Sequence, residues 1–404
     1  MTTPLTRDAT LAPRVDAHVL LAGAFGQGNP GDEALLRSFA QALPGAALTA
    51  TSSAPAATAG EHGIAAVARH DAAAVLSAVR AADAVVFAGG TVFKRLHPAC
   101  GRRPLALLAR AAAMAVAAKA MRRPLALVGV GAGDLDGRAA RQLARVIVHA
   151  ADLLILRDDE SAARLAAAGA PAPVRVGADP SWTLDLPGPH RGGRPDGPVV
   201  LALSHLAGGG DLADRLAAAL APLAGAGVPL ALQPWDRGGA DAALAHAVAV
   251  RLEAGADRAS RAGAGRLDPA RRLESVVVLP PPADLAAACA GFEDARLVVG
   301  LRFHALVAAA AVGTPFVAFV HEPKLAAAAR RLGQPRVSAE APPAALTAAV
   351  VAALGAPAAA PEAVRRERER AEAGFRLLRV LLAGGRTEEA DALDGLALRP
   401  EEWL

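Results

Sequence analysis

The feature that most constrains this chain is a regular alternation of short apolar runs with stretches of helical spacing. Runs such as 18–22, 83–88 and 125–130 have the length of buried strands, and each ends in a glycine-rich or polar loop. Strands that alternate with helices predict a parallel sheet with helices on both faces. The sequence therefore predicts an α/β fold.

The alternation occurs twice along the 404 residues, a length that is too great for one ordinary core. We expect two tandem Rossmann-like domains with parallel sheets, whose carboxyl strand edges face one interdomain cleft. The expected boundaries are a flexible N-terminus over 1–16, an N-terminal domain over 17–186, a linker over 187–198, a C-terminal domain over 199–354, and a linker, long helix and tail over 355–404.

Composition excludes several classes of protein. The cysteines, Cys100 and Cys289, are far apart, which excludes a disulfide scaffold or a zinc module and suits a reducing compartment. Residues 1–14 lack the basic start and apolar core of a signal peptide. The longest apolar stretch, 105–121, is interrupted by charges and is too short to span a bilayer. We therefore expect a cytoplasmic protein.

The positive charge of the chain is mild. Its net charge of +4 comes with arginine clusters at 102–103, 122–123 and 365–370. Aromatic residues make up only 3% of the chain, so platforms for stacking bases are absent. We predict no binding to nucleic acid. A peripheral contact with the inner face of the membrane and a homo-oligomer stay open.

The strongest candidates for a site follow an apolar strand at 297–299. A helix and a second strand come next, so Arg302, His304 and Lys324 fall just past two strand ends. Ligands bind at that edge of a parallel sheet, and these side chains suit a small substrate with carboxylate and phosphate groups. The alternative is that Arg302 caps the helix and that His304 is a core histidine.

A glycine-rich loop follows the first strand. Gly26, Gly28 and Gly31 fit the G-x-G-x-x-G pattern of dinucleotide-binding loops. The next strand, however, ends in Thr-Ser-Ser at 51–53, which offers no acid to hold a ribose. Asp32 and Glu33, in the first turn of the helix, would also repel a pyrophosphate at its N-terminus. We therefore predict a glycine loop that does not bind NAD.

Six motifs occur in order over residues 17–335. They are Gly26 with Asn29-Pro30-Gly31-Asp32-Glu33, Gly89-Gly90, Gly129-Val130-Gly131, Arg157-Asp158-Asp159-Glu160-Ser161, Ala178-Asp179-Pro180, and Gly300-Leu301-Arg302-Phe303-His304-Ala305-Leu306 with Pro323-Lys324. Together they resemble the polysaccharide pyruvyl transferase family. The chain is most similar to the bacterial branch that pyruvylates secondary cell wall polymers, which S-layer proteins recognise.

The resemblance implies a GT-B-like enzyme that moves the enolpyruvyl group of phosphoenolpyruvate onto a sugar as a ketal. The implied partners are phosphoenolpyruvate, as donor substrate, and a sugar acceptor on a polysaccharide or a lipid-linked precursor. No cofactor is implied.

The chemistry of this donor fits the candidate residues. Phosphoenolpyruvate carries several negative charges, so its site needs several cations in a partly desolvated cleft. The predicted substrate-binding residues are Arg302, Arg157, Lys324, Gly26, Asn29, Asp32, Gly89, Gly90 and Thr91. His304 is the candidate general acid and Asp179 the candidate base, with helix capping as the alternative for Asp179. No residue set has metal-ligand spacing, so we predict no required metal.

Two other functions stay open. A GT-B glycosyltransferase that uses a nucleotide sugar fits the cleft, but Glu293-Asp294 precede their strand and lie at the wrong edge to hold a ribose. A non-enzymatic glycan-binding protein would turn over no donor. The acceptor sugar also stays open, because the loops at Ser204-His205 and at 91–94 differ from the pattern of the family.

Overall fold

The computed structural model describes residues 16–96, 102–170, 174–188, 193–261 and 276–385. Its frame consists of two parallel sheets. The first contains β1 (His18–Phe25), β2 (Ala47–Ser52), β3 (Ala65–Ala68), β4 (Ala84–Ala88), β5 (Thr91–Phe93), β6 (Leu125–Ala132), β7 (Leu153–Leu156) and β8 (Arg175–Val176). The second contains β9 (Val199–Ala202), β10 (Leu230–Gln233), β11 (Val276–Val278), β12 (Leu297–Gly300), β13 (Phe316–Val320) and β14 (Arg336–Ser338).

Helices cover both faces of each sheet. In the first domain they are α1 (Pro30–Ala42), α2 (Pro55–His62), α3 (Ala72–Ala81), α4 (Ala106–Ala120), α5 (Arg138–Ala150) and α6 (Asp159–Ala167). In the second they are α7 (Leu212–Gly225), α8 (Ala240–Arg261), α9 (Leu285–Glu293), α10 (Phe303–Val312), α11 (Pro323–Arg331) and α12 (Pro343–Ala353), and α13 (Pro361–Leu382) follows. The alternation of helices with parallel strands in two sheets confirms the predicted fold class.

The order of the strands fixes where a site can form. It is β3-β2-β1-β4-β6-β7-β8 in the first sheet, with β5 beside β6, and β11-β10-β9-β12-β13-β14 in the second. The chain order reverses between β1 and β4 and again between β9 and β12. In open parallel sheets, ligands bind past the carboxyl ends of the strands at such a reversal. Helix α1 begins at the first of these points, after β1, and helix α10 begins at the second, after β12.

The last helix ties the two domains together. Although α13 follows the second domain, its apolar face packs on the first sheet, where the ring of Phe375 meets that of Phe39 edge-on at 4.8 Å. Such aromatic pairs contribute about 1 kcal/mol beyond the burial of their surface. Within the part of the chain that the structure describes, we find no helix with the length and apolar character needed to cross a membrane.

Candidate active site

The N-termini of two helices from different domains meet at the domain junction. α1 begins after the glycine loop of the first domain, and α10 begins after β12 of the second. A Cβ atom on Gly31 would lie 2.0 Å from Nδ1 of His304, so glycine is needed for this close approach. Nearby, the backbone N–H of Arg237 donates to the carbonyl oxygen of Gly28 over 3.0 Å. These contacts join the carboxyl edges of the two sheets.

A buried histidine, a carboxylate and a guanidinium lie together at this junction. His304 is 9% exposed and Asp179 is fully buried. Nε2 of His304 lies 3.5 Å from Oδ1 of Asp179, and Nη1 of Arg157 lies 3.5 Å from Oδ2 of the same carboxylate. Both distances are long for hydrogen bonds, and among the described residues Nε2 of His304 and Oδ2 of Asp179 have no hydrogen-bond partner. Because buried polar atoms are nearly always paired, this pair marks a candidate substrate contact.

The carboxylate of Asp179 is held in its ionised form. It caps the 3₁₀ turn Pro180–Thr183, where Oδ1 accepts hydrogen bonds from the N–H and the hydroxyl of Ser181 over 3.1 and 2.6 Å. Burial alone would raise the pKa of Asp179, but His304, Arg157 and Ser181 outweigh burial and lower this pKa to about 2. The capping role is therefore present, and the same carboxylate faces the imidazole.

Arg157 is 4% exposed and contacts both domains. Its guanidinium lies over the ring of Phe303, 4.7 Å from the centroid, and its Nε donates to Asp158 over 3.2 Å. On the other side, a Cβ atom on Gly131 would lie 2.4 Å from Nη2 of Arg157 and 3.5 Å from Oγ1 of Thr91. Because Phe303 belongs to the second domain, this stacking holds the guanidinium at the junction.

Two lysines, one from each domain, share the carboxylate of Glu322. Nζ of Lys94 donates to Oε1 over 2.9 Å, and Lys324 pairs with the other oxygen. Burial opposes the ionisation of Glu322, but the two lysines outweigh burial and hold its pKa well below the ordinary value. Burial in turn lowers the pKa of Lys324, against the opposing effect of Glu322. Lys94 is thus a cation of the junction that the sequence analysis did not assign to the site.

Asp32 is a partly exposed carboxylate of this cluster. Asn29, the N-cap of α1, donates from Nδ2 to Oδ2 of Asp32 over 2.8 Å. Burial raises the pKa of Asp32 more than His304 and Lys324 lower it, and the charge of Glu33 raises it further. A carboxylate with a raised pKa beside an imidazole is a candidate for proton transfer.

Arg302 is held by two carboxylates of its own domain. It occupies the N-cap position of α10, but its side chain does not cap the helix. Its Nη2 lies 2.6 Å from Oδ2 of Asp241 and 3.1 Å from Oδ2 of Asp236. The other oxygen of Asp241 accepts the N–H of His205 over 2.7 Å and lies 2.6 Å from Nδ1 of its ring. Arg302 therefore lies beside the cluster with its charge already balanced.

The partners of Arg302 include one group with metal-ligand spacing. Across the described ranges, only His205, Asp236 and Asp241 offer ligand atoms that all lie within 4.8 Å of one another. This group forms in space and could not be seen as spacing along the sequence, because His205 lies in a 3₁₀ turn after β9, Asp236 in the loop after β10 and Asp241 in the first turn of α8. The guanidinium of Arg302 pairs with both carboxylates, so a metal ion at this position would lie against a fixed positive charge. That no metal is required stays a prediction.

The predicted glycines have different surroundings. Gly26 has a φ of 72°, and a Cβ atom there would lie 2.1 Å from Oγ of Ser52. Gly89 lies against Leu35, where a Cβ atom would be 2.8 Å from Cδ2. Gly90 faces open space, with no heavy atom within 4 Å of its Cβ position. Gly26 and Gly89 thus pack closely against neighbouring residues of the first domain, whereas the space beside Gly90 is open.

One cluster at the junction contains most of the predicted substrate-binding and catalytic residues, namely Asn29, Asp32, Gly90, Thr91, Arg157, Asp179, His304 and Lys324. The sequence analysis did not assign Lys94, Asp158, Ser181, Glu322 or Phe303 to the site. Asp158 and Phe303 lie inside motifs already recognised, and Glu322 is two residues from Lys324, so proximity in sequence was the available signal.

The model of the family described as polysaccharide pyruvyl transferase matches residues 29–323. The chain belongs to this family. The match runs from the N-cap of α1 to the start of α11, so it includes both helix N-termini that meet at the junction. A comparison with curated proteins finds no match.

Solved structures similar to this pyruvyl transferase family member include sugar-nucleotide epimerases. A putative UDP-N-acetylglucosamine 2-epimerase from Listeria monocytogenes has 11% identity and a TM-score of 0.55, with 92% of this chain and 96% of that chain covered. S. aureus MnaA, in a co-structure with UDP, has 9% identity, the same TM-score and coverage of 91% and 96%. UDP-GlcNAc 2-epimerase from Methanocaldococcus jannaschii has 11% identity, a TM-score of 0.53 and coverage of 91% and 99%. At these identities the similarity shows the fold alone, which is GT-B-like.

Proposed function

We propose that this protein transfers the enolpyruvyl group of phosphoenolpyruvate to a sugar of a cell-surface or secondary cell wall polysaccharide, forming a pyruvate ketal and releasing phosphate. Its family supports this assignment. The observation that carries it is the convergence of the buried His304 with Arg157 and Lys324 beside Asp32 at the domain junction. A compact donor with several negative charges requires such converging cations, and ketal formation requires a proton donor among them.

The proposed reaction moves protons between donor, acceptor and protein. His304 donates a proton to the methylene carbon of the donor, and a first sugar hydroxyl attacks the adjacent carbon. The bond from that carbon to the phosphate oxygen breaks, and a second hydroxyl of the sugar closes the ketal. One hydroxyl proton restores the histidine, and the other leaves with the phosphate, so the atoms balance.

Asp179 and Asp32 differ in burial, and we assign them different roles. The sequence analysis offered Asp179 as the base, but Asp179 is fully buried and faces the imidazole of His304. We assign it to orient the imidazole of His304. Asp32 is partly exposed, lies beside the same imidazole and has a raised pKa, so it is the better candidate to accept the hydroxyl proton that then restores His304.

Mass spectrometry with phosphate detection tests the function. The protein is incubated with phosphoenolpyruvate and a secondary cell wall glycan or its lipid-linked precursor. We expect the glycan to gain the mass of a pyruvate ketal, in amounts equal to the phosphate released. A UDP-sugar serves as the competing donor. Turnover of the UDP-sugar without turnover of phosphoenolpyruvate would assign the protein to the glycosyltransferases instead.

The proposed base predicts an acid limb in the pH profile. Turnover should fall as pH decreases through the pKa of Asp32, because only the carboxylate accepts a proton, and the raised pKa places this fall above the range of an ordinary aspartate. Asp32→Asn should lower turnover by about 10²–10⁴-fold and remove the limb. Asp136→Asn, at an exposed position of the same domain, is the control. An unchanged acid limb in Asp32→Asn would exclude this base.

A further inference from the structure

A second histidine lies at the same edge of the second sheet as His304 and has no role in the reaction as proposed. His205 begins a 3₁₀ turn that follows β9. β9 is the hydrogen-bonded neighbour of β12, and Nε of Arg302 donates to the carbonyl oxygen of Leu203 over 3.4 Å. The turn of His205 and the N-terminus of α10 therefore lie side by side, at the point where strand order reverses.

The loop after β10 connects this turn to the first domain. Nδ1 of His205 lies 3.5 Å from Oδ2 of Asp236, and the next residue, Arg237, donates its N–H to the carbonyl oxygen of Gly28 over 3.0 Å. Gly28 belongs to the glycine loop that leads into α1. The imidazole of His205 therefore lies against the loop through which the second domain contacts the glycine loop of the first.

Asp241 fixes the orientation of the His205 ring. Its side chain is fully buried, and its Oδ1 accepts the backbone N–H of His205 over 2.7 Å and lies 2.6 Å from Nδ1 of the ring. Burial would raise the pKa of Asp241, but Arg302 and the hydrogen bonds from His205 outweigh burial and lower this pKa. The carboxylate is therefore ionised and can only accept, so Nδ1 carries the proton of the neutral ring and Nε2 is left as an acceptor.

Nε2 of His205 is available to a substrate. The side chain is 37% exposed, and within the described residues the ring forms hydrogen bonds through Nδ1 alone. The preceding residue, Ser204, has a buried Oγ that also finds no hydrogen-bond partner there, although buried polar atoms are nearly always paired. An imidazole with a carboxylate on one nitrogen and an unoccupied second nitrogen has the arrangement of a general base.

We propose that His205 is the base for the second sugar hydroxyl and that Asp241 is its positioning residue. This inference rests on the proposed function, which uses two sugar hydroxyls and assigns a base, Asp32, to only one of them. When the bond from the ketal carbon to the phosphate oxygen breaks, its electron pair leaves with the phosphate, and the second hydroxyl oxygen bonds to that carbon. Nε2 of His205 takes the hydroxyl proton and passes it to the phosphate, so the atoms balance and the ring returns to its neutral form.

Mass spectrometry under single-turnover conditions separates the two halves of the reaction. The wild type, His205→Ala and the control His246→Ala are mixed with phosphoenolpyruvate and the secondary cell wall glycan. His246 is exposed in α8 of the same domain. In His205→Ala we expect ketal formation to fall by about 10²–10⁴-fold, while an adduct that contains both the sugar and the phosphate accumulates. The control should form the ketal at the wild-type rate.

Imidazole in solution tests whether the ring itself is needed. Added to His205→Ala, it should raise turnover by about tenfold or more, because it can enter the half-exposed space left by the side chain and accept the proton. It should not change the turnover of His246→Ala. A purely structural role for His205 would give no such rescue, so the absence of rescue would overturn the proposal.

Folding of the variant is checked by thermal unfolding. Asp241 keeps Arg302 and backbone N–H groups as partners in His205→Ala, so we expect the variant to fold. If it does not, His205→Asn replaces it in the mass spectrometry with the same expected result. Its amide nitrogen can still donate to Asp241, but no group takes the place of Nε2.

Three outcomes distinguish a failure of this proposal from a failure of the proposed function. Ketal formation at the wild-type rate in the His205 variant would overturn the role of His205 and leave the proposed function in place. Loss of the adduct as well as the ketal, as expected for His304→Ala, would show that His205 acts before the second hydroxyl and would also overturn its role. Failure of the wild type to form either product would overturn the proposed function and, with it, the role of His205.

Discussion

His304 and Arg302 are two residues apart, yet the structure gives them different surroundings. His304 is buried between Gly31 and Asp179, and its Nε2 has no hydrogen-bond partner among the described residues. Arg302 already pairs with Asp241 and a second carboxylate. Of these two residues, His304 is therefore the one with a ring nitrogen left to bond a substrate.

Replacing His304 separates catalysis from donor binding. His304→Ala should leave the affinity for phosphoenolpyruvate nearly unchanged, because cations of both domains remain, and should lower turnover by about 10²–10⁴-fold. Donor affinity by calorimetry and phosphate release report the two quantities. His149→Ala, at an exposed position of α5, is the control. A variant with normal turnover, or one that does not fold, would return His304 to the status of a core histidine.

Asp179 should contribute to stability in a pH-dependent way. Its folded pKa of about 2 lies below the ordinary value of 3.8, so its contribution is present above about pH 4 and is lost as pH falls towards 2. That shift corresponds to about 2 kcal/mol. Asp179→Asn should lower the free energy of unfolding at pH 7 by about 3–5 kcal/mol, since Arg157 loses a buried partner.

Denaturant unfolding of Asp179→Asn across pH 2–7 measures this contribution. We expect the free energy of unfolding of the variant to fall less steeply below pH 4 than that of the wild type. Parallel curves for the two proteins would show that Asp179 does not carry the difference.

At the level of secondary structure, the site depends on how closely α1 approaches α10. Gly31 lies in the first turn of α1 against the imidazole of the other helix. Each helix follows a strand at a point where strand order reverses, so the two domains bring their helix N-termini to the same place.

Adding one methyl group at Gly31 should push α1 and α10 apart. Gly31→Ala would place Cβ 2.0 Å from Nδ1 of His304, so the chain must shift, at a cost of about 1–3 kcal/mol in the free energy of unfolding. Turnover should fall with it. Gly60→Ala is a matched control, because Gly60 lies in α2 with no heavy atom within 4 Å of its Cβ position, and alanine there should stabilise the helix. Equal stability and turnover in both variants would contradict the close contact.

Some elements could be predicted from sequence close to their observed bounds. The strands predicted over 125–130 and 297–299 were found as Leu125–Ala132 and Leu297–Gly300, since both runs are strongly apolar and are followed by glycine. The strands at Ala65–Ala68 and Thr91–Phe93 were not predicted. They are short and either alanine-rich or at the rim of the sheet, so they lack the run of large apolar residues that marks a buried strand.

The candidate site shows the same limit. The prediction that Arg302, His304 and Lys324 follow two strand ends is confirmed, since β12 ends at Gly300 and β13 at Val320. Parallel strands bring such ends to the same edge of a sheet. The pairing of Arg302 with Asp241, 61 residues away, was not predicted. Which carboxylate pairs with a cation depends on the conformation of the loops, and the sequence pattern does not predict that conformation.

For the whole molecule, ion pairs, a shared apolar cluster and one helix hold the domains together. Lys94 pairs with Glu322 over 2.9 Å and Arg37 with Asp284 over 2.8 Å, both across the junction. Partly exposed ion pairs contribute at most about 1 kcal/mol each, so the larger contacts are the packing of α13 on the first sheet and that of Ala34 and Trp182 on the second domain. A ligand at the junction should therefore have a measurable effect on global stability.

Thermal unfolding with ligands tests the choice of donor. At about 100 times its Kd, phosphoenolpyruvate should stabilise the folded protein by about 2.7 kcal/mol, because it binds only the assembled junction. NAD should give no shift, since the strand before Ser53 offers no acid for its ribose. Inorganic sulfate at equal ionic strength controls for general anion effects. A shift with NAD and none with phosphoenolpyruvate would show that the protein binds NAD and not the proposed donor.

Glu322 has a consequence for how a donor would enter. Its carboxylate holds Lys94 of one domain and Lys324 of the other, so in the free protein an internal anion occupies the cations that a phosphate would need. Under the proposed function, donor binding is then an exchange of one anion for another, and the measured affinity is the difference between the two. After the exchange, the substrate bridges the two domains. When phosphate is released, Glu322 bridges the two lysines again.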